Sequence, residues 1–386
     1  MNLHFKPVIS LFCAAFVAFA AMAESQPEQL IKEMKAKYAP DTRVAVWKVE
    51  AKNQNGVVEL VGETDNAKAK EELLKNFKKA GLTYSDKIAV LPSEKIGNDN
   101  WAVVTISVAC LRCDPRNGAE LASQALMGTP LKVLDKVSDF YRVQTPDNYI
   151  GYMTPGSFEL MTDKEFSAWK ASKRYIVTAY QSTLFANPDG DESNVVSDLV
   201  LGDILEYKSV KGDFVELSMA DGRSGYARVK DMAEFSQWAK QDFNFELIRK
   251  TAFRMMGTPY LWGGTSVKAI DCSGFVKTSY FANGIILQRD ASQQALTGLK
   301  YECKDWAEKA QPGDLIFIGN KNGRVTHVAM YLNDGKFIHS SGRVKLNSMN
   351  PKDDNFIDYT YLSMSRINGE IGTKGIVRVR DHAWYF

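Results

Sequence analysis

Cys272 follows Asp271 in the run Asp271-Cys272-Ser273-Gly274-Phe275-Val276, and that position could make its sulfur reactive. Asp is a favoured helix N-cap, so Cys272 is expected to open a helix that continues through Phe275, Val276 and Tyr280 and stops at Gly284. A thiol placed there lies near unsatisfied N–H groups and the positive end of the helix dipole, which lower its pKa and favour the nucleophilic thiolate. The same N–H groups can receive an oxyanion. Upstream, helical periodicity over 245–255 ends at Gly257-Thr258-Pro259. Tyr260-Leu261-Trp262-Gly263-Gly264 then reads as a loop whose glycines permit close backbone approach.

Such a thiol needs a base. The chain has 4 histidines, and His327 and His339 fall on what reads as one hairpin: 325–332, the turn Asn333-Asp334-Gly335, and 336–341. If the turn is a three-residue loop with Gly335 left-handed, Leu332 pairs with Lys336 and His327 with Ser341. His339 is then a diagonal neighbour of His327 on the same face, about 7–8 Å away between backbones and within reach of ring-to-ring hydrogen bonding. A two-residue Asp334-Gly335 turn would put them on opposite faces, so register decides whether they cooperate. Two same-face histidines beside a capped cysteine point to nucleophilic catalysis. His382, among aromatics near the end of the chain, reads as packing.

The framework around these residues is globular. The 386 residues are 45% hydrophobic and 24% charged, enough for several domains with real cores. Lys+Arg of 48 against Asp+Glu of 46 leaves +2, so charge implies neither nucleic acid nor an anionic membrane as partner. Lys6, an apolar run over 7–20 and Ala21-Met22-Ala23 read as a cleaved secretion signal over 1–23. The run falls short of the ~20 residues that cross a bilayer, which predicts no stable membrane insertion once the signal is cleaved. Phe12 before Cys13 argues against lipid attachment. The expected localisation is exported, periplasmic or cell-envelope.

The mature chain keeps Cys110, Cys113, Cys272 and Cys303, too few for a disulfide scaffold. Cys110-Leu111-Arg112-Cys113 has zinc or redox spacing, but no second pair lies nearby to complete four ligands. The pair reads as strand or turn cysteines able to oxidise to each other. Cys303, in a polar stretch, reads as a bystander.

At the N-terminal side, 24–40 reads as a short amphipathic helix or linker and 43–50 alternates like a strand. Strands at 57–62 and 87–91 flank a helix over 67–80 with Leu73, Leu74 and Phe77 on one face, and Gly81 stops it. Nothing in this α+β module looks chemical. The middle of the chain repeats at an offset of 74: Ser123 with Ser197, Gly128 with Gly202, Asp139-Phe140 with Asp213-Phe214, and Gly151-Tyr152 with Gly225-Tyr226. Short β-type runs between turn residues suit two copies of one compact barrel.

Taken together, G-T-P-Y-x-W-G-G (257–264), D-C-S-G-F (271–275), R-D-A-S-Q-Q (289–294), P-G-D-L-I-F (312–317) and H-V-A-M-Y (327–331) resemble the NlpC family of cell-wall cysteine peptidases. The repeated middle resembles bacterial SH3-like domains. The fold so implied is α+β: a papain-like cysteine peptidase domain over 241–386, preceded by SH3-like barrels at 101–165 and 166–240 and the small module at 24–100. The resemblance implies Cys272 as nucleophile, His327 as base and His339 as the third, orienting group, with no metal or cofactor. Tyr260, Asp271 and Ser273, which flank the nucleophile, join the expected substrate-binding set.

The paired barrels sharpen the resemblance toward γ-D-glutamyl-L-diamino acid dipeptidyl-peptidases, which act on stem peptides with a free N-terminal L-Ala. In that branch an acid after the Arg of the R-D segment holds the substrate amine, and Asp290 stands there; it could equally cap a helix over 291–296. Ala291 replaces the first of two hydroxyls found in the branch, and Ser292 keeps the second. A tyrosine from the first barrel also lines the branch's site, and Tyr152 or Tyr149 could fill that role. The expected partners are peptidoglycan stem peptides or muropeptides, with no nucleic acid, and the expected state is monomeric. The alternatives are an amidase or acyltransferase on the same scaffold, or a non-catalytic peptidoglycan-binding protein.

Overall fold

The computed structural model describes residues 25–54 and 57–386, so the leader read over 1–23 lies outside the described residues. Helices Gln26–Tyr38 and Ala67–Lys79 pack on one side of strands Trp47–Gln54, Val57–Thr64 and Tyr84–Val90, paired antiparallel and then parallel. Asn66 caps the second helix by accepting from the Ala69 N–H at 3.0 Å. Leu73 and Phe77 are fully buried against Leu60 and Trp47, each worth ~1.5–3 kcal/mol of apolar burial, whereas Leu74 is only partly buried. The strand expected from residue 43 begins at Trp47. The Asp41 side chain takes the Arg43 N–H at 3.0 Å and so bends 41–45 into a turn.

The 74-residue offset reappears in the strands. Pro130–Val137, Phe140–Gln144 and Ile150–Met153 recur as Ile204–Lys211, Phe214–Ser218 and Ser224–Arg228, each set within its own seven-stranded sheet. Each sheet closes on its own core, with Leu131, Val133 and Val143 in the first and Leu205, Val215 and Leu217 in the second. The copies touch where Met127 O accepts from the Ile204 N–H at 2.9 Å and the Met127 N–H donates to Asp203 Oδ1 at 3.1 Å.

In the last third, helices Phe245–Arg254 and Cys272–Phe281 lie against a six-stranded antiparallel sheet. Its order is Leu299–Glu302, Tyr361–Arg366, Leu315–Gly319, Val325–Asn333, Lys336–Ser341, Arg343–Ser348. Phe275, Val276 and Tyr280 project from the second helix onto Leu315, Phe317, Val328 and Ile338. The α+β class read from the sequence is the class observed. His382 packs edge-on against Trp384 and donates from Nε2 to Pro146 O at 2.9 Å, and Cys303 is buried in a satellite core. Among the described residues, no helix is long and apolar enough to cross a membrane.

Candidate active site

The first turn of the helix Cys272–Phe281 is fixed by Asp271. Its Oδ1 accepts from the Gly274 N–H at 2.7 Å and the Ser273 hydroxyl at 3.2 Å, and its Oδ2 accepts from the Gly263 N–H at 3.0 Å. The buried Arg289 guanidinium closes on the same carboxylate at 2.6 Å and donates to Ser273 Oγ and, from the first barrel, Ser123 Oγ, each at 3.0 Å. Breaking one side of such a buried pair costs about 3–5 kcal/mol. Protein partners thus engage both side chains, and Asp271 and Ser273 line the same cleft as Cys272. Two glycines make the approach possible. A Cβ on Gly274 would lie 2.1 Å from Gly264 O, and Gly263, at φ +83, would put one 2.2 Å from Leu121 O.

The Cys272 sulfur is buried beside the Val328 and Ser273 N–H groups, with the Tyr260 hydroxyl against it. Burial pushes the thiol up to about 11, the Asp271 carboxylate adds to that, and the N–H groups and Arg289 oppose without reversing it. The lowering expected from the helix end is thus outweighed by desolvation. Burial and the neighbouring Cys272 and Asp271 charges also raise Tyr260, which stays a hydrogen-bond donor. Cys272 opens the helix, so its own N–H has no intrahelical acceptor.

The hairpin reaches the same-face arrangement by an unexpected route. Asn333 pairs with Lys336 across a two-residue turn, with Asp334 at φ 49 and Gly335 at φ 81, and a bulge at Leu332 follows. Beyond it Tyr331 pairs with Phe337 and Met330 with Ile338, a register whose continuation sets His327 opposite Ser341. His327 Nε2 then lies 2.7 Å from His339 Nδ1, and His339 Nε2 lies 3.0 Å from Asn347 Oδ1.

Asn347 fixes the protons of this chain. Its Nδ2 donates to the Asn355 carbonyl at 2.9 Å, so Oδ1 is the acceptor facing His339. His339 therefore carries its proton on Nε2 and accepts at Nδ1. His327 donates from Nε2, which leaves Nδ1 as its lone-pair nitrogen. Burial lowers His327 to about 3, helped by His339 and opposed by Asp271. Burial likewise lowers His339 to about 4 against the bond to Asn347. Both rings are neutral at neutral pH.

A cleft of about 490 Å³ is lined by Cys272, Trp262, Glu120, Tyr149, Asp290 and Arg43, among others. Asp290 occupies the N-cap position of the short helix Ala291–Gln294, and its Oδ2 accepts from Tyr149 OH at 3.1 Å and Arg43 Nη1 at 2.7 Å. The same Nη1 donates to Ser292 Oγ at 3.0 Å. Tyr152 does not line the cleft. Its hydroxyl accepts from Arg142 Nε at 3.0 Å and Nη2 at 2.8 Å, because three residues along an extended segment it faces the side opposite Tyr149. Tyr149 is the cleft tyrosine.

Arg43, from the N-terminal module in which the sequence showed nothing chemical, also lines the cleft. Glu120, whose Oε1 accepts from Trp262 Nε1 at 2.6 Å, and Asn347 were also missed. An isolated surface acid carries no sequence signal, whereas Asn347, two residues past the Lys345 that pairs with His339, could have been placed from strand periodicity. Cys110 and Cys113 are free thiols, and Cys113 borders the cleft.

The NlpC/P60 family matches residues 257–366, and the bacterial dipeptidyl-peptidase Sh3 domain matches 111–157. A γ-D-glutamyl-L-lysine dipeptidyl-peptidase of Bacillus cereus is 31% identical over 241 residues, covering 58% of this chain and 68% of that one. Dipeptidyl-peptidase 6 of Lysinibacillus sphaericus is 28% identical over 267 residues, covering 64% of this chain and 91% of its own. An NlpC/P60 family protein from Bacillus cereus, known by crystal structure, superposes with a TM-score of 0.59 at 24% identity, over 69% of this chain and 99% of that one. The chain belongs to the NlpC/P60 family of cysteine peptidases.

Proposed function

We propose that this enzyme hydrolyses the γ-D-glutamyl–diamino acid bond of peptidoglycan stem peptides, those with a free N-terminal L-Ala in particular. The observation that carries this reading is a single cleft lined both by the Cys272 thiol and by the Asp290 carboxylate, Ser292 and Tyr149. A short peptide anchored by its ammonium at Asp290 presents a carbonyl further along, toward Cys272. The relatives named as dipeptidyl-peptidases support the same substrate class.

In this mechanism Cys272 transfers its proton to His327 Nδ1 as the sulfur attacks the γ-carbonyl of D-Glu. The oxyanion is received by the Cys272 N–H and the Tyr260 hydroxyl. His327 then gives the proton to the leaving amine, the C–N bond breaks, and a thioester remains on Cys272. Water deprotonated by His327 attacks the thioester, the acid is released, and the proton returns to the sulfur. His339 and Asn347 hold the base in the tautomer this requires. The leader read over 1–23 supports export to the periplasm or cell envelope.

Incubation with defined tripeptides and muropeptides, followed by weighing the products, tests the reaction. The expected result is one water added across the γ-D-glutamyl bond. Transfer to an added amine would assign an acyltransferase instead, and unchanged peptides would overturn the peptidase reading.

A further inference from the structure

We propose that Arg43 is a positioning residue of the cleft's amine-binding end, and that through it the N-terminal module takes part in selecting a free amino terminus. This rests on the reading of Asp290 as the partner of the substrate ammonium.

The turn that carries Arg43 is pinned beside the site. Arg43 O accepts from the Ile150 N–H at 2.8 Å, one residue after Tyr149, and Val44 O accepts from Gln144 Nε2 at 3.3 Å. The guanidinium is gripped side-on by Asp41, with Nε–H donating to Oδ1 and Nη2–H to Oδ2, both at 2.8 Å. Asp41 Oδ2 also accepts from Gln293 Nε2 at 2.8 Å, and Gln293 Oε1 accepts from the Asp290 N–H at 3.0 Å. Asp41, Arg43, Asp290 and Gln293 thus form a closed ring of hydrogen bonds, and a fork held this way has little freedom left.

Within that ring, Arg43 and Tyr149 both donate to Asp290 Oδ2. Oδ1 has Arg289 Nη1 at 3.9 Å, outside hydrogen-bond distance, so neither arginine nor Tyr149 hydrogen-bonds to this second oxygen. Arg289 is also what Asp290 would turn to if released, since it is a buried cation one residue away. Arg43 prevents that collapse. Because Asp41 and Arg43 enter as a neutral couple, they orient Asp290 without cancelling its charge, and Glu120 adds a second acid to the cleft.

The opposite role makes an opposite prediction. If Arg43 merely filled the ammonium's seat between Asp290 and Ser292, removing it would tighten substrate binding. Steady-state kinetics on L-Ala-γ-D-Glu-L-Lys and its N-acetylated form decide between them, using Arg43→Gln, Arg43→Lys and the charge-conserving double variant Asp41→Asn/Arg43→Gln. We expect KM for the free-amine peptide to rise about tenfold or more in Arg43→Gln and in the double variant, with kcat changing less than about threefold. Arg43→Lys should recover part of the loss, and the slow cleavage of the acetylated peptide should be the same in every variant. An unchanged or lower KM in Arg43→Gln, or equal losses on both peptides, would overturn the role. Wild-type enzyme that cleaves the acetylated peptide as well as the free one would instead remove the amine reading on which it rests.

Discussion

Cys272 rests as a neutral thiol, because burial lifts it to about 11 while burial holds His327 down at about 3. With the sulfur so much more basic than the ring, the proposed mechanism keeps the proton on sulfur until a carbonyl arrives and couples its transfer to His327 with attack. The sign is definite: below the thiol's pKa the thiolate fraction grows as pH rises. Alkylation of Cys272 by iodoacetamide, followed by mass spectrometry, should therefore quicken about tenfold per unit between about pH 7 and about pH 9. A rate already flat from about pH 5 would mean a preformed thiolate–imidazolium pair. Asp271 and Cys272 were legible in the sequence because capping is local to a few residues. The direction of the thiol's shift was not, since it depends on a sheet that buries the sulfur and on Asp271 beside it.

At the scale of elements, the hairpin shows how a correct face can follow from an incorrect turn. The sequence left the face to the turn, with a three-residue loop giving a shared face and a two-residue turn opposite faces, yet the loop is two residues long and the bulge at Leu332 restores the shared face. A bulge is settled by the strands on either side, which a single hairpin's sequence does not reveal. The neighbouring strand Arg343–Ser348 then supplies Asn347. Asn347→Ala removes the acceptor that holds His339's proton on Nε2, so kcat should fall about tenfold or more while KM stays within about threefold. Asn347→Asp keeps an acceptor there and should retain more activity. Full kcat in Asn347→Ala would show that the proton relay is not used. The 74-residue repeat was legible for a related reason, since two copies of one strand pattern leave the same spacing twice.

Over the whole molecule, the cleft is assembled from three parts of the chain. Cys272, Asp290 and Ser292 come from the last third, Tyr149 and Glu120 from the first barrel, and Arg43 from the N-terminal module. The seam between barrel and peptidase is polar and specific. The Thr265 N–H donates to Gln124 Oε1 at 2.9 Å, Arg289 reaches Ser123, and Lys277 meets the buried Asp147 at 2.5 Å. Burial alone would raise Asp147, but the Lys277 ammonium overrides it and holds the carboxyl below its ordinary range. These long-range contacts explain why motifs located the thiol and its histidines but did not reveal Arg43 and Glu120 in the cleft.

The claim beneath all of this is that one sulfur does the chemistry. Turnover of L-Ala-γ-D-Glu-L-Lys by Cys272→Ala, measured beside the wild-type protein with thermal unfolding as a check on folding, tests it most directly. The expected result is a fall in kcat/KM of about 10⁴-fold or more while the melting temperature moves by only a few degrees. A folded Cys272→Ala enzyme that still cleaves this peptide at near wild-type rate would contradict it.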